Sequence, residues 1–182
     1  MIGISENVFI NVKNRSHTIT AEVEIPKKGA NGVILAQAGR FGGWSLYMNN
    51  GKPTYTYNWL GLQRYTVTAA QAPPPGKATI RFEFAYDGDG VGKGGTGTLL
   101  VNGKKVAAAR IERTQCCAFS ADEGADVGAD EGTPVTEAYK VPFKFTGKIR
   151  KVTIELQDVK VADRHEEEQA RKFATVKKAL AD

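Results

Sequence analysis

The sequence predicts an all-β protein, built as an antiparallel β-sandwich and followed by one C-terminal α-helix. Three observations favour this fold class. Short segments of alternating apolar and polar residues recur along residues 1–158, which is the period of a strand with one buried face. Turn-forming residues separate these segments, among them Pro26, Asn49–Gly51 and Asn102–Gly103. A sustained helical period appears in residues 159–182, which therefore form a predicted amphipathic helix beside the sandwich domain.

The predicted strands are short and closely spaced. The most regular is 77–86, in which Ala78, Ile80, Phe82, Phe84 and Tyr86 fall on one face. In 17–25 the apolar and polar residues alternate just as cleanly, and 33–38 is short and apolar throughout. The complete set of predicted strands is 8–12, 17–25, 33–38, 44–49, 53–59, 63–69, 77–86, 98–101, 104–112 and 148–156.

The strongest alternation lies in a predicted hairpin over Gly42–Gly61. Its turn contains Asn49, Asn50 and Gly51, residues that tolerate the positive φ of a tight turn. An isolated hairpin is marginal in water, so we expect other strands to cover it. The residues that share one face are Trp44, Leu46 and Met48 in the first run, and Pro53, Tyr55, Tyr57 and Trp59 in the second.

Aromatic, amide and guanidinium side chains concentrate in and around this hairpin. Aromatic rings stack on sugars, and amides and guanidinium groups bond to hydroxyls and sulfates. The candidate ligand-binding residues are Arg40, Trp44, Tyr55, Tyr57, Asn58, Trp59 and Arg64. The alternative is that these rings pack in the core or against another protein. The pattern favours that alternative, because large aromatics are enriched in cores and interfaces alike.

The acidic, glycine-rich segment Ser120–Thr133 has no periodicity and is predicted to be a long surface loop. Its carboxylates are hard oxygen donors of the kind that calcium binds. The candidate metal ligands are Asp122, Asp126 and Asp130, with calcium as the candidate ion. The alternative is that these are ordinary surface acids, since such residues are mostly exposed.

Charge and hydropathy narrow the expected partners. The net charge is +5, but no Lys/Arg cluster is interleaved with aromatics as in an RNA-binding sheet, so we expect no nucleic-acid partner. No apolar run approaches the length of a membrane-spanning helix, and we expect no membrane partner. The start of the chain lacks the features of a signal peptide, so we expect a cytoplasmic location.

The two cysteines and two histidines carry no catalytic pattern. Cys116 and Cys117 are adjacent, a spacing that makes disulfide geometry difficult, so we expect free thiols in a reducing compartment. His17 and His165 have no nearby nucleophile and are expected at the surface.

Three segments resemble the C-terminal region of large bacterial arylsulfatases: GGWSLYMNNGKPTYTYNWLG, GKATIRFEFAYDGDGVGKGGTGTLLVNGKKVA and FSADEGADVGADEGTPV. The resemblance runs from about Ser16 to Leu156. In such enzymes this region follows the catalytic α/β domain, and it is similar to concanavalin A-like or laminin-G-like jelly-roll sandwiches. The resemblance implies a non-catalytic accessory module that packs against a sulfatase catalytic domain or self-associates.

The chemistry of that family does not carry over to this sequence. Sulfatases use a Cys/Ser-x-Pro/Ala-x-Arg motif, and neither Cys116 nor Cys117 is followed by the required arginine. We therefore predict no catalytic residue and no enzymatic activity for this chain. The alternative function is a lectin-like module that binds a glycan or a sulfated ligand through the hairpin aromatics.

Overall fold

A computed structural model describes residues 1–88, 90–120, 123–157, 168–170 and 172–173. Within these residues the chain forms ten strands. In chain order they are β1 (His17–Ile25), β2 (Gly32–Gly39), β3 (Gly42–Asn49), β4 (Lys52–Trp59), β5 (Gln63–Thr68), β6 (Gly76–Tyr86), β7 (Gly95–Val101), β8 (Lys104–Ile111), β9 (Ala125–Val127) and β10 (Lys148–Leu156).

The strands form two five-stranded sheets. One has the order β10-β1-β6-β7-β8 and the other β5-β4-β3-β2-β9, with every neighbouring pair antiparallel. The two sheets stack face to face, because the inward side chains of both belong to one buried cluster. The all-β class and the antiparallel sandwich are thus confirmed.

The core between the sheets is built from the faces that the alternation predicted. Tyr55 of β4 stacks on Phe82 of β6 with ring centroids 3.5 Å apart, which joins the two sheets at their centre. Trp44 also stacks on Tyr55. Each fully buried side chain of this size contributes roughly 1.5–3 kcal/mol relative to exposure. Other buried members are Ile19, Ala21, Val23, Leu46, Met48, Ile80, Phe84 and Leu99.

The second sheet is also covered on its outer face. A smaller buried cluster joins Val33, Ala36 and Tyr47 of that sheet to Val135 and Tyr139. The ring of Tyr139 packs edge-on against Tyr47, with centroids 5.1 Å apart. As a result, β2 is buried along its whole length and β3 and β4 almost as completely.

Three local predictions need correction. Residues 8–12 form no strand; the segment packs Phe9 and Val12 against the core instead. Ser120–Thr133 is not simply a surface loop, because β9 lies within it and Ala125, Ala129 and Asp130 are buried. His17 is buried rather than at the surface, which fits its place on the inward face of β1.

The predicted C-terminal helix falls almost entirely outside the described residues, as does His165. Within it, residues 168–170 and 172–173 are helical, and Phe173 is exposed. The division between a sandwich of residues 1–158 and a helix of residues 159–182 therefore stays a prediction.

Candidate functional site

Four of the seven predicted ligand-binding residues lie inside the protein. Trp44, Tyr55, Tyr57 and Asn58 are 0%, 1%, 5% and 0% exposed. A ligand in solution does not reach these side chains in this structure. The prediction is therefore corrected for these four: they are core residues, as the alternative interpretation held.

Hydrogen bonds explain why polar groups are tolerated at these positions. The indole Nε1 of Trp44 donates to Oε1 of Gln37 at 2.9 Å. The hydroxyl of Tyr57 accepts the backbone N–H of Gln115 at 2.7 Å, and burial raises the pKa of Tyr57 above its usual range. The indole N–H of Trp44 and the hydroxyl of Tyr57 thus each have a partner within the protein.

Asn58 ties two turns together at the end of the sheet. Its Nδ2 donates to the carbonyl oxygens of Gly39 at 2.7 Å and Arg40 at 2.9 Å, and its Oδ1 accepts the N–H of Gly61 at 2.9 Å. The β2–β3 turn and the β4–β5 turn therefore lie side by side. Asn58 holds the predicted site together without touching a ligand.

The other three predicted residues reach the surface. Arg40 is exposed in the β2–β3 turn, and Trp59 is half-buried at the end of β4. Arg64 of β5 forms a 2.9 Å ion pair with Glu137, which is a weak surface interaction. For these three, ligand binding stays a prediction.

An open groove of about 380 Å³ begins at Trp59. Three chain segments meet there: the end of β4, the β6–β7 loop and the segment that follows β8. The lining residues are Trp59, Leu60, Val91, Gly92 and Thr114–Ala118. We call this the Trp59 groove. Only Trp59 among its lining residues was predicted to bind a ligand, because the other segments become neighbours only in the folded chain.

Two polar side chains stand at the Trp59 groove. The guanidinium carbon of Arg113 lies 5.3 Å from the ring centre of Trp59, a cation–π contact on an exposed face. Gln115 is 94% buried on the groove wall, since its exposed fraction is 6%. Its Nε2 donates to the carbonyl of Ala118 at 2.9 Å.

The Oε1 atom of Gln115 is buried and has no hydrogen-bond partner among the described residues. Exchanging the amide oxygen and nitrogen would not help, because two oxygens would then face each other at Ala118. An unsatisfied buried acceptor costs about 1–3 kcal/mol. This oxygen is closed to solvent and lies against Gly42, where an added Cβ would clash with it.

The wall of the groove contains a disulfide between Cys116 and Cys117. This corrects the prediction of two free thiols, because the described chain holds no free cysteine. The backbone there is fixed from the other side of the molecule: Nδ2 of Asn14 donates to the carbonyl of Cys116 at 2.7 Å. Both cysteines are half-exposed, so the ring is part of the accessible surface.

Exposed apolar side chains lie beside the Trp59 groove. Phe41 is 75% exposed, Leu60 46% and Leu62 75%. The two turns that carry them are in contact, because the backbone of Arg40 and Phe41 lies against Gly61. Clustered apolar residues of this size at one end of a domain are typical of a binding surface.

The candidate calcium ligands do not converge in the described residues. Asp126 accepts the N–H of Gly3 at 2.6 Å and that of Glu131 at 3.2 Å, and Asp130 accepts the hydroxyl of Tyr139 at 2.5 Å. Burial, opposed in part by Tyr139, raises the pKa of Asp130 to about 6. Asp122 lies outside the described residues, which contain no metal-binding group of three acids, histidines or cysteines. The described residues therefore contain no converging set of oxygen donors for calcium, and calcium binding stays a prediction.

Among the described residues, no helix combines the length and the apolar composition that crossing a bilayer requires.

The chain matches no protein-family model and no curated protein sequence. Its fold, however, matches many solved structures. The CBM40 domain of Ruminococcus gnavus IT-sialidase is 16% identical, with a TM-score of 0.54 over 85% of this chain and 82% of that one. The LG4–5 domains of the mouse laminin alpha1 chain are 19% identical, with a TM-score of 0.53 over 85% of this chain and 40% of that one.

The LG1–3 region of the laminin alpha2 chain has a TM-score of 0.55 at 12% identity, over 82% of this chain and 28% of that one. This chain thus spans less than half of either laminin structure. These similarities establish the class of fold, a concanavalin-like β-sandwich of the type found in laminin-G and carbohydrate-binding domains. None of these structures is a sulfatase, and they lend no support to the arylsulfatase resemblance.

Proposed function

We propose that this protein is a carbohydrate-binding module that binds a glycan in the Trp59 groove. The single observation that carries this proposal is the composition of the groove. The half-buried ring of Trp59 lines an open space together with Leu60, and the guanidinium group of the exposed Arg113 lies 5.3 Å from the centre of that ring. Sugars need both features, because each ring has apolar C–H faces and a rim of hydroxyl groups.

Each side chain has a distinct part in the proposed complex. The ring of Trp59 stacks against the C–H face of a sugar, and Leu60 extends that apolar surface. Arg113 offers charged donors to hydroxyls or to a carboxylate or sulfate on the glycan.

The fold neighbours support the choice of ligand class. Structures of the Ruminococcus gnavus CBM40 are described as bound to alpha2,3 sialyllactose and to alpha2,6 sialyllactose. At 15% identity, this similarity transfers the fold and not the site. It does supply a reasonable first probe, an acidic trisaccharide, with lactose as its neutral counterpart.

Calorimetric titration with sialyllactose and lactose, together with a glycan array, tests the proposal. We expect binding to at least one array glycan, and a loss of about tenfold or more in affinity for Trp59→Ala. Tyr65→Ala is the matched control, because Tyr65 is a partly buried aromatic that does not line the groove. Wild-type protein that binds no glycan, or a Trp59→Ala variant that binds like wild type, would overturn the proposal.

The second candidate is an accessory module of an arylsulfatase-type hydrolase, in which the sandwich packs against a catalytic domain or self-associates. Its support is the sequence resemblance over residues 16–156, together with the exposed Phe41, Leu60 and Leu62. Sedimentation velocity with Phe41→Ser and Leu62→Ser distinguishes the candidates. A dimer that both substitutions dissociate, with no glycan binding by wild type, would favour assembly.

A further inference from the structure

We propose that the Cys116–Cys117 disulfide is a binding wall of the Trp59 groove, and that reducing it weakens glycan binding. The inference rests on the proposed function and adds a redox dependence to the same site. The disulfide lines the groove together with Trp59, Leu60 and Gln115.

The backbone that carries the disulfide is fixed on both sides. Before it, the N–H of Gln115 donates to Tyr57, a core residue. At the ring itself, Asn14 donates to the carbonyl of Cys116. After it, the carbonyl of Ala118 accepts the side chain of Gln115 at 2.9 Å. The two cysteines therefore line the groove on a segment that hydrogen bonds anchor to the rest of the protein.

The bond between adjacent cysteines keeps both sulfur atoms on one side of their backbone. This makes a continuous apolar surface on the groove wall. Without the bond, each cysteine side chain regains its own rotamers, and the two sulfur atoms are no longer held together. The oxidised form thus offers an ordered apolar wall that the reduced form lacks.

The disulfide also lies inside the loop that positions Gln115. The hydrogen bond from Gln115 Nε2 to Ala118 spans the two cysteines. Opening the ring frees the torsion angles of the two cysteines between the bonded groups, so the bond is harder to hold. The side chain of Gln115, which lines the groove, then loses its fixed position. Reduction therefore affects both the apolar wall and the Gln115 side chain beside it.

The chemistry needs an external reductant, and a dithiol suffices. A thiolate of the dithiol attacks one sulfur of the Cys116–Cys117 bond, and its second thiolate closes the dithiol's own disulfide. Two electrons pass to the protein and two protons complete the two thiols. Both cysteines are half-exposed at an open groove, so the reagent reaches them.

The first test counts thiols and needs no glycan. Purified protein, unfolded without reductant, should give no reaction with a thiol reagent, and two reactive thiols after dithiothreitol. In the folded protein, reduction should change tryptophan fluorescence through Trp59, and Trp59→Phe should abolish the change because Trp44 is fully buried. Reactive thiols before reduction, or unchanged fluorescence after it, would overturn the inference.

The second test compares affinities for the array glycan bound most tightly. We expect reduction to lower affinity about tenfold, and reoxidation by oxidised glutathione to restore it. Cys116→Ser/Cys117→Ser should match the reduced wild type; if that variant fails to fold, the reduced wild type alone decides. Equal affinity of the oxidised and reduced forms overturns the redox inference and leaves glycan binding intact. An oxidised protein that binds no glycan overturns the proposed function instead.

Discussion

The two ends of strand β4 show how the same sequence pattern leads to opposite environments. Tyr55 and Trp59 fall on one face of the strand by alternation. Tyr55 is 1% exposed and stacks on Phe82 of the opposite sheet, whereas Trp59 is half-buried and lines an open groove. Alternation therefore indicates which side a residue faces, but not what lies in front of it.

Tyr57 lies between Tyr55 and Trp59 on β4 and is still buried. The segment after β8 lies over it: Gln115 donates to its hydroxyl, and Phe119 packs edge-on against its ring at 6.0 Å. One step further along β4, the same segment covers Trp59 only in part and leaves the groove. The proposed site is open because the segment after β8 buries Tyr57 but leaves Trp59 half-buried.

The largest expected effect lies at the covered end. Tyr55→Ala should lower the free energy of unfolding by about 3–5 kcal/mol, because it removes a ring stacked between the sheets and leaves a cavity. Denaturant unfolding measures this loss. A variant of nearly wild-type stability with lost glycan binding would mean that Tyr55 belongs to the ligand site after all.

His17 gives the next effect, and it depends on pH. Burial lowers the pKa of His17 to about 4, so the unfolded chain takes up a proton that the folded protein refuses. The stability that His17 contributes should therefore fall as the pH drops from about 6.5 towards 4, by about 1.4 kcal/mol for each unit of pKa difference. His17→Phe should remove this loss, and unfolding at pH 4.5 and 7 in both proteins checks it. An unchanged pH dependence in the variant would contradict it.

Asp130 should act in the opposite direction. Its pKa is raised to about 6, mainly by burial, so the folded protein holds a proton that the unfolded chain releases. The stability from this group is present at low pH and is lost as the pH rises from about 4 to 6. This loss offsets the gain that His17 contributes over the same pH range, so stability should rise more steeply from about pH 4 to 6 in Asp130→Asn than in wild type. If the variant follows the wild-type curve, the carboxyl group is not the cause.

Asn58→Ala tests the connection between the covered end and the groove. It leaves the carbonyls of Gly39 and Arg40 without their donor, which should cost about 1–3 kcal/mol. Glycan affinity should fall as well, because the turn that follows Trp59 loses its anchor at Gly61. Loss of stability with unchanged affinity would separate the turn from the site.

The smallest effect on stability belongs to the uncovered end. Trp59→Ala should lower the free energy of unfolding by less than Tyr55→Ala does, because Trp59 is only half-buried where it packs against the core. Its effect should appear in ligand binding instead. A loss as large as that of Tyr55→Ala would show that both ends of β4 are structural.

The sequence predicted the sandwich well because each strand carries its own local pattern. The inward faces of β1 and β6 follow from their alternation, and both are buried as expected. The outer cover of the second sheet could not be predicted. Val135 and Tyr139 sit in a segment without periodicity, and they meet Tyr47 only through long-range contact.

The candidate site was predictable only in outline. The aromatic hairpin contains Trp59, which lines the proposed groove, but four of its other predicted residues are in the core. Arg113, Gln115 and the disulfide lie in a segment with no recognisable motif, and they reach Trp59 only through the packing of the sandwich. The prediction of free thiols was wrong. It relied on the general difficulty of joining adjacent cysteines, and Cys116 and Cys117 are an exception to that rule.

The most direct test of this account is a titration of the oxidised protein with its preferred array glycan, followed residue by residue by NMR amide shifts. We expect the shifts to concentrate in Trp59, Leu60, Val91 and Thr114–Ala118, and to vanish in Trp59→Ala. Shifts elsewhere on the sandwich, or shifts that persist in the variant, would contradict the claim that the glycan binds in the Trp59 groove.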